Sequence, residues 1–332
     1  MTGNRRRSVI VGAVLVASVA GVFVGSIAVG DYFVSFGDVL GALFGRGTPR
    51  VQYVVTDLRL PRALVGVLAG AAFGVSGAIF QAIARNPLAS PDIIGVTAGS
   101  SAAAVVGIVA FGVSGTALSA LAFTGGFAAA AVIYLLSWRQ GMSGYRMVLV
   151  GIGVAAFLSA ITAFLLVRAA RNELQRATVW MTGSLTDREW DHVPVLAVTV
   201  VVLVPLVVAL ARSIHVLMLG DDSAKSLGLR LEITRGVLVL AGVALAATAT
   251  AAAGPITFVA FVAPAVARAL VGSTVSVFPS AAFGALLVPL ADLVGRTALL
   301  GVALPVGVVT GLIGGGYFIC LLATAGKVER GA

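Results

Sequence analysis

The sequence predicts an all-α, polytopic membrane protein of about ten transmembrane helices, and three observations carry that prediction. Of its 332 residues, 59% are hydrophobic and only 11% are charged. A soluble domain carries about 25% charged residues, so this set cannot cover a water-facing surface. The apolar stretches are long and continuous rather than alternating, which leaves helices and excludes outer-membrane barrel strands. Glycine is abundant, with 41 residues, while aromatics make up 7%. Helices of that composition approach one another backbone to backbone in lipid. Soluble enzymes, disulfide-framed secreted domains, DNA-binding modules and disordered chains are excluded on the same grounds.

Taken in order, the apolar stretches give spans near 8–30, 61–84, 93–111, 116–136, 147–167, 193–211, 237–253, 256–270, 278–294 and 304–324. The first follows the basic Arg5-Arg6-Arg7 cluster and reads as a retained helix rather than a signal peptide. The second opens on Pro61, a residue suited to the first helical position. Within it Gly66, Gly70, Gly74 and Gly77 form a ridge fit for close helix contact. The eighth is short, and Pro255 before it suggests a helix that does not cross the bilayer alone. The chain reads as one transmembrane domain over 1–332. A charged segment over about 213–236 lies on one side, and an interfacial segment over about 168–192 on the other.

Twenty arginines and two lysines give a net charge of +9. They are scattered through short connecting segments, which argues for topology rather than nucleic acid. With a cytoplasmic amino terminus and alternating spans, the inner segments hold thirteen cations and five acids, the outer ones nine and eight. That places both termini in the cytoplasm, and leaves the outer arginines needing a reason of their own.

Several chemistries are missing. Lys225 and Lys327 are the only lysines and neither sits in a phosphate loop, so the chain does not hydrolyse ATP by itself. His192 and His215 lie in different segments and form no ligand pair. Cys320 lies in an apolar run, so no disulfide framework or thiolate metal site is expected. The nearest approach to a mid-membrane charge is Asp292, toward the outer end of its span, which gives little support to an ion-coupled relay. No catalytic cluster and no metal site is expected.

Polarity concentrates in four connecting segments. Asp57-Leu-Arg59-Leu-Pro61-Arg62 opens the second span. The stretch 81–92 contains Pro87 and Pro91, which prevent a continuous helix. Residues 168–192 are long enough for a short interfacial helix, with Trp180 and Trp190 suited to the headgroup level. Gly220-Asp221-Asp222-Ser223-Ala224-Lys225-Ser226-Leu227-Gly228 reads as a helix of about two turns, capped at its start by aspartate and ended by Gly228. It is either an ordinary surface helix or a grip for a soluble partner.

These residues carry a resemblance. Arg59-Leu-Pro-Arg62, Gly77-Ala-Ile-Phe-Gln81, Arg85-Asn-Pro-Leu-Ala89-Ser-Pro91-Asp-Ile-Ile-Gly95 and Trp180-Met-Thr-Gly-Ser-Leu185 are similar to segments of the FecCD/BtuC-like permeases. So are Gly220 to Gly228, Gly254-Pro-Ile-Thr-Phe258 with Pro264, Ala291-Asp292 with Arg296, and Leu304-Pro-Val-Gly-Val-Val-Thr310. These are the permease subunits of type II ABC importers for iron-siderophores, haem and vitamin B12. The resemblance runs from about residue 30 to 325. The stretch 86–95 and Gly314-Gly-Gly-Tyr317 resemble the ferric-enterobactin branch. Ala265 stands where many relatives have histidine, so no histidine role carries over there.

The resemblance implies ten helices per subunit and two subunits enclosing a pathway, as a heterodimer or else a homodimer. Two ATP-binding subunits would supply the nucleotide chemistry, with no cofactor bound by this chain. An extracytoplasmic siderophore-binding protein would dock on Arg59, Arg62 and Arg296. Gly220, Asp221, Asp222, Ala224, Leu227 and Gly228 would form the coupling helix on the ATPase, the aspartates capping it. Ser159, Thr162, Ser184 and Thr310 are the candidates for lining the pathway. The implied cargo is a ferric siderophore of catecholate type, with haem or cobalamin as alternatives inside the family. An ion-coupled secondary transporter is the alternative outside it. The implied location is the bacterial cytoplasmic membrane.

Overall fold

The computed structural model describes residues 2–30, 32–138, 144–272, 276–297 and 303–328. Arg139, Glu329 and Arg330 of the charge count lie outside the described residues, as do the side chains of Arg5, Arg6 and Lys327.

Among the described residues all regular elements are helices: α1 (Thr2–Ala28), α2 (Phe36–Leu43), α3 (Pro49–Gln52), a π-helical turn (Tyr53–Arg59), α4 (Leu60–Ala84), α5 (Pro91–Ile94), α6 (Val96–Phe111), α7 (Gly115–Ser137), α8 (Gly144–Arg168) and α9 (Arg171–Met181). After a 3-10 turn (Trp190–His192) come α10 (Val193–Ala209), α11 (Ala211–Met218), α12 (Asp221–Ser226), α13 (Leu231–Ala253), α14 (Val259–Val271), α15 (Val277–Thr297) and α16 (Val306–Val328). Among the described residues seven apolar helical stretches are long enough to cross a membrane, and three shorter ones stand at the remaining expected spans. The end of the bundle at which α1 begins is called basal below, and the opposite end apical.

The second span departs from expectation at its start. Its helical path begins at Pro49, not Pro61, and runs through the π turn into α4. Pro61 explains the turn. Its ring offers no N–H and crowds the carbonyl of residue 57, so the ladder widens and the Leu60 N–H reaches back to the Val55 carbonyl.

The glycine ridge does what its spacing predicted. A methyl group on Gly70 would overlap the Gly284 carbonyl of α15, and one on Gly74 the Ser280 carbonyl. At Gly77 it would overlap Ala260 of α14. α4 therefore lies backbone to backbone against α15 and α14. Lipid supplies no hydrophobic drive between helices, so this dispersion contact is what holds them. The most apolar stretches of α4 and α13 are 83% and 78% buried, that of α8 only 11%. α4 and α13 form the centre of the bundle, and α8 its rim.

α14 has 13 residues, about 20 Å of helix, too short for a hydrocarbon layer of about 30 Å. The irregular stretch before it meets a second one. The Ser184 N–H donates to the Ala253 carbonyl at 2.9 Å, and the Gly307 N–H to the Gly183 carbonyl at 3.1 Å. Non-helical backbone survives at this depth because protein, not lipid, satisfies it.

Candidate docking, coupling and pathway sites

The apical cluster grows from the ends of α1, α4 and α15. Arg62, at the start of α4, grips Asp292 with both fork nitrogens, Nη2 to Oδ1 at 2.7 Å and Nε to Oδ2 at 3.1 Å. Arg296, one turn after Asp292 on α15, brings Nε to 3.3 Å from Oδ2. Its other nitrogens reach the Ser26 and Val29 carbonyls at the end of α1. The carboxylate is 95% shielded, so two guanidiniums repay its burial. Arg59 does not present its charge outward, as the sequence reading expected. It is buried, donating to the carbonyls of Ile27 (2.8 Å), Ala28 (3.1 Å) and Tyr32 (2.6 Å). The last carbonyls of a helix have no intrahelical partner. The π turn sets Arg59 beside those of α1, and the cation also meets the negative end of the helix dipole.

At the basal end α12 is a six-residue helix. Its cap position belongs to Gly220, at φ 104°, and Asp221 and Asp222 follow it in the first turn. The expected capping role therefore falls away, because both acids sit inside the first turn. Asp221 instead receives Arg85 at 3.0 Å and Arg235 at 2.8 Å on one oxygen. Arg85 is the left-handed cap of α4 and Arg235 lies buried in α13. One carboxylate thus ties α12 to the two central helices. Ala224 is wholly buried and seats the helix. Leu227 is 64% exposed, and Gly228, at φ 78°, turns the chain away. Asp222 is exposed beside it.

The four pathway candidates do not converge. Thr162 is buried and its hydroxyl donates to the Leu158 carbonyl at 2.9 Å. Thr310 is buried and donates to the Gly307 carbonyl at 3.2 Å. Ser159 lies on the exposed face of α8. Ser184 borders an apical cavity of about 890 Å³ that Arg62, Arg176, Arg188, Asn172 and Gln175 also line. Arg188 donates to the Ser184 carbonyl at 3.1 Å. Burial pushes its guanidinium below the ordinary value, and the neighbouring Asp187 opposes that shift.

The two tryptophans also part company. Trp190 is exposed and its indole N–H donates to the Thr56 carbonyl at 2.9 Å. Trp180 is buried in an apolar cluster that includes Val105, Ile108 and Ala251, so only one of them suits a headgroup level.

Sequence reasoning missed Arg85 and Arg235 as partners of Asp221, and Arg176 and Arg188 as lining residues. The four-residue spacing of Asp292 and Arg296 was a local signal of their ion pair. The Arg62–Asp292 pair joins residues 230 apart and leaves no local trace.

Comparison with known proteins agrees with this architecture. The chain is 41% identical over 285 residues to the ferric enterobactin transport system permease protein FepG of Escherichia coli (strain K12), with 86% of each chain covered. It is 38% identical to the iron(3+)-hydroxamate import system permease protein FhuG of Bacillus subtilis (strain 168), covering 86% of this chain and 88% of that one. A solved metal-chelate type ABC transporter in an inward-facing conformation superposes with a TM-score of 0.84 at 28% identity, over 94% of this chain and 98% of the other. Residues 15–324 match the model of the FecCD transport family. The chain belongs to that family and is a multi-span ABC transporter permease subunit for siderophores and related iron chelates, not an enzyme.

Proposed function

We propose that this chain is the gate of an importer for a ferric siderophore of catecholate, enterobactin-like type, in the bacterial cytoplasmic membrane. Its basal end faces the cytoplasm, with both termini there, and its apical end faces outward. Two separate ATP-binding subunits drive it, and a second permease subunit completes the pathway, in a heterodimer by preference. An extracytoplasmic siderophore-binding protein delivers the cargo.

The observation that carries this reading is α12. It is fastened to α4 and α13 through Asp221, while Leu227 and Gly228 stand exposed at its tip. A short helix that is rigidly held inward and bare outward transmits a push from a soluble partner to the centre of the bundle. At the apical end, Arg62 and Arg296 are the docking residues. Their fork geometry suits a partner's carboxylate, and Asp292 holds them ready. Arg59 supports docking by fixing the end of α1. Ser184 borders the entry for cargo, Ser159 faces the companion permease, and Thr162 and Thr310 support their helices. The catecholate assignment rests on likeness to FepG and on the enterobactin-like motifs. The hydroxamate name of FhuG makes cargo the point to test.

The test is uptake of labelled ferric chelates into liposomes holding the full transporter with its binding protein. Gly228→Arg is expected to abolish uptake while the ATPase still turns over. Uptake at the native rate in that variant would remove the coupling role. Accumulation of hydroxamate in preference to catecholate would replace the cargo.

A further inference from the structure

We propose that the basal end carries a binding site for a phosphate group, formed where α4 ends beside α14 and α15. A cavity of about 250 Å³ lies there, lined by Gln81, Arg85, Asn86, Met218, Arg268 and Ser276, among others. That is many times the roughly 10–15 Å³ that one water needs, and it leaves room for a phosphate group.

Its chemistry is one-sided. The lining carries two guanidiniums and no carboxylate. Arg268 is partly buried, and no acid lies within 4.0 Å of it among the described residues. Its partner is the neutral Gln81, whose Oε1 accepts from Nη1 at 2.5 Å. The Gln81 amide is oriented for this by donating to the Phe261 carbonyl at 3.1 Å. Arg85 has only a share in Asp221, which also serves Arg235. Asn86 spends its carbonyl oxygen on the Leu88 N–H at 2.9 Å, which leaves both amide hydrogens to donate. The buried Ser276 hydroxyl finds no hydrogen-bond partner among the described residues.

A half-buried cation without a counter-charge is costly, and a doubly cationic, donor-rich cleft between membrane helices suits an anionic phosphate. The ligand is the headgroup of an anionic phospholipid or a free phosphate ion. Neither source depends on the cargo or on coupling, so the inference stands apart from the transport reading.

The experiment uses the assembled transporter in nanodiscs of phosphatidylcholine with one-tenth phosphatidylglycerol, read by native mass spectrometry. One tightly retained phosphatidylglycerol per chain is expected. Arg268→Gln should lower retention about tenfold, the loss of one charge-assisted contact, whereas Arg268→Lys keeps most of it. Arg85→Gln, on a more exposed side chain, gives the same reading should Arg268→Gln fail to fold. In phosphatidylcholine alone, inorganic phosphate that raises the melting temperature in an Arg268-dependent manner identifies the free ion as the ligand. If neither probe depends on Arg268 or Arg85, the site does not exist.

Discussion

At the residue scale, Asp292 has the largest consequence for its size. It is the only acid within ion-pair distance of Arg62 and Arg296 among the described residues. Asp292→Asn would remove the carboxylate that two shielded guanidiniums share, a change that costs about 3–5 kcal/mol when a buried pair is broken. Arg62→Gln keeps the Arg296 contact, and its side chain is 21% exposed, so its cost is smaller. Thermal unfolding in detergent is expected to rank Asp292→Asn well below Arg62→Gln. Equal melting temperatures would show that the cluster does not stabilise the bundle. Arg59→Met is expected to destabilise as a lost helix end, with its first effect at α1, because its three acceptors are carbonyls at or just beyond the end of that helix. Proteolysis or hydrogen exchange around Tyr32 is the matching readout. A docking residue with no packing role would leave that exchange unchanged.

At the element scale, two joints set the behaviour of the bundle. The first is the contact of α4 with α15. Gly70→Val would drive a branched side chain into the Gly284 carbonyl, and overpacking of this kind costs about 1–3 kcal/mol or more. Since the obstacle is backbone, the helices must part. Loss of folded protein on size-exclusion chromatography is the expected outcome, and Gly153→Val, which meets nothing within 4 Å, is the control. The second joint is α12. Asp221→Asn weakens its hold on Arg85 and Arg235 while leaving Leu227 exposed. Arg85 is 44% exposed and the carboxylate 35%, so solvent screening keeps that half of the loss small, whereas Arg235 is 3% exposed and the break at a buried guanidinium costs more. The expected result is a lowered melting temperature together with ATPase turnover poorly coupled to uptake. Tight coupling in this variant would mean that α12 is held by other contacts.

At the scale of the whole molecule, burial is distributed by role. α4 and α13 sit at the centre, and α8, α1 and α10 form a thinly buried rim available to lipid or to a companion subunit. The end of α6, the start of α4, α9 and the stretch after it, and the residues before α16 enclose an apical cavity beside Ser184. Ser184→Trp is expected to reduce chelate uptake several-fold by filling that space, while Thr162→Val, whose hydroxyl bonds only its own helix, leaves uptake near native. The reverse order, measured in the same liposome assay, would move the pathway to α8. The chain without ATP-binding partners is expected to accumulate no solute against a gradient.

Composition and periodicity by themselves determined that the chain is a helical membrane bundle, where its apolar helices run, that α4 carries a contact ridge and that α14 is short. These are local properties: a continuous apolar run, a four-residue glycine repeat and a proline each act on their own neighbourhood. The motif resemblance pointed to the family before any coordinate was known. Tertiary structure alone decided which distant charges meet. Arg62 finds Asp292 across 230 residues and Arg85 finds Asp221 across 136, and such pairing follows from how helices are stacked. It also turned Arg59 inward, because a π turn forced by Pro61 aims its side chain at the bare carbonyls of α1. A charge read from sequence has a sign and a position along the chain, but only the packed helices give it a partner.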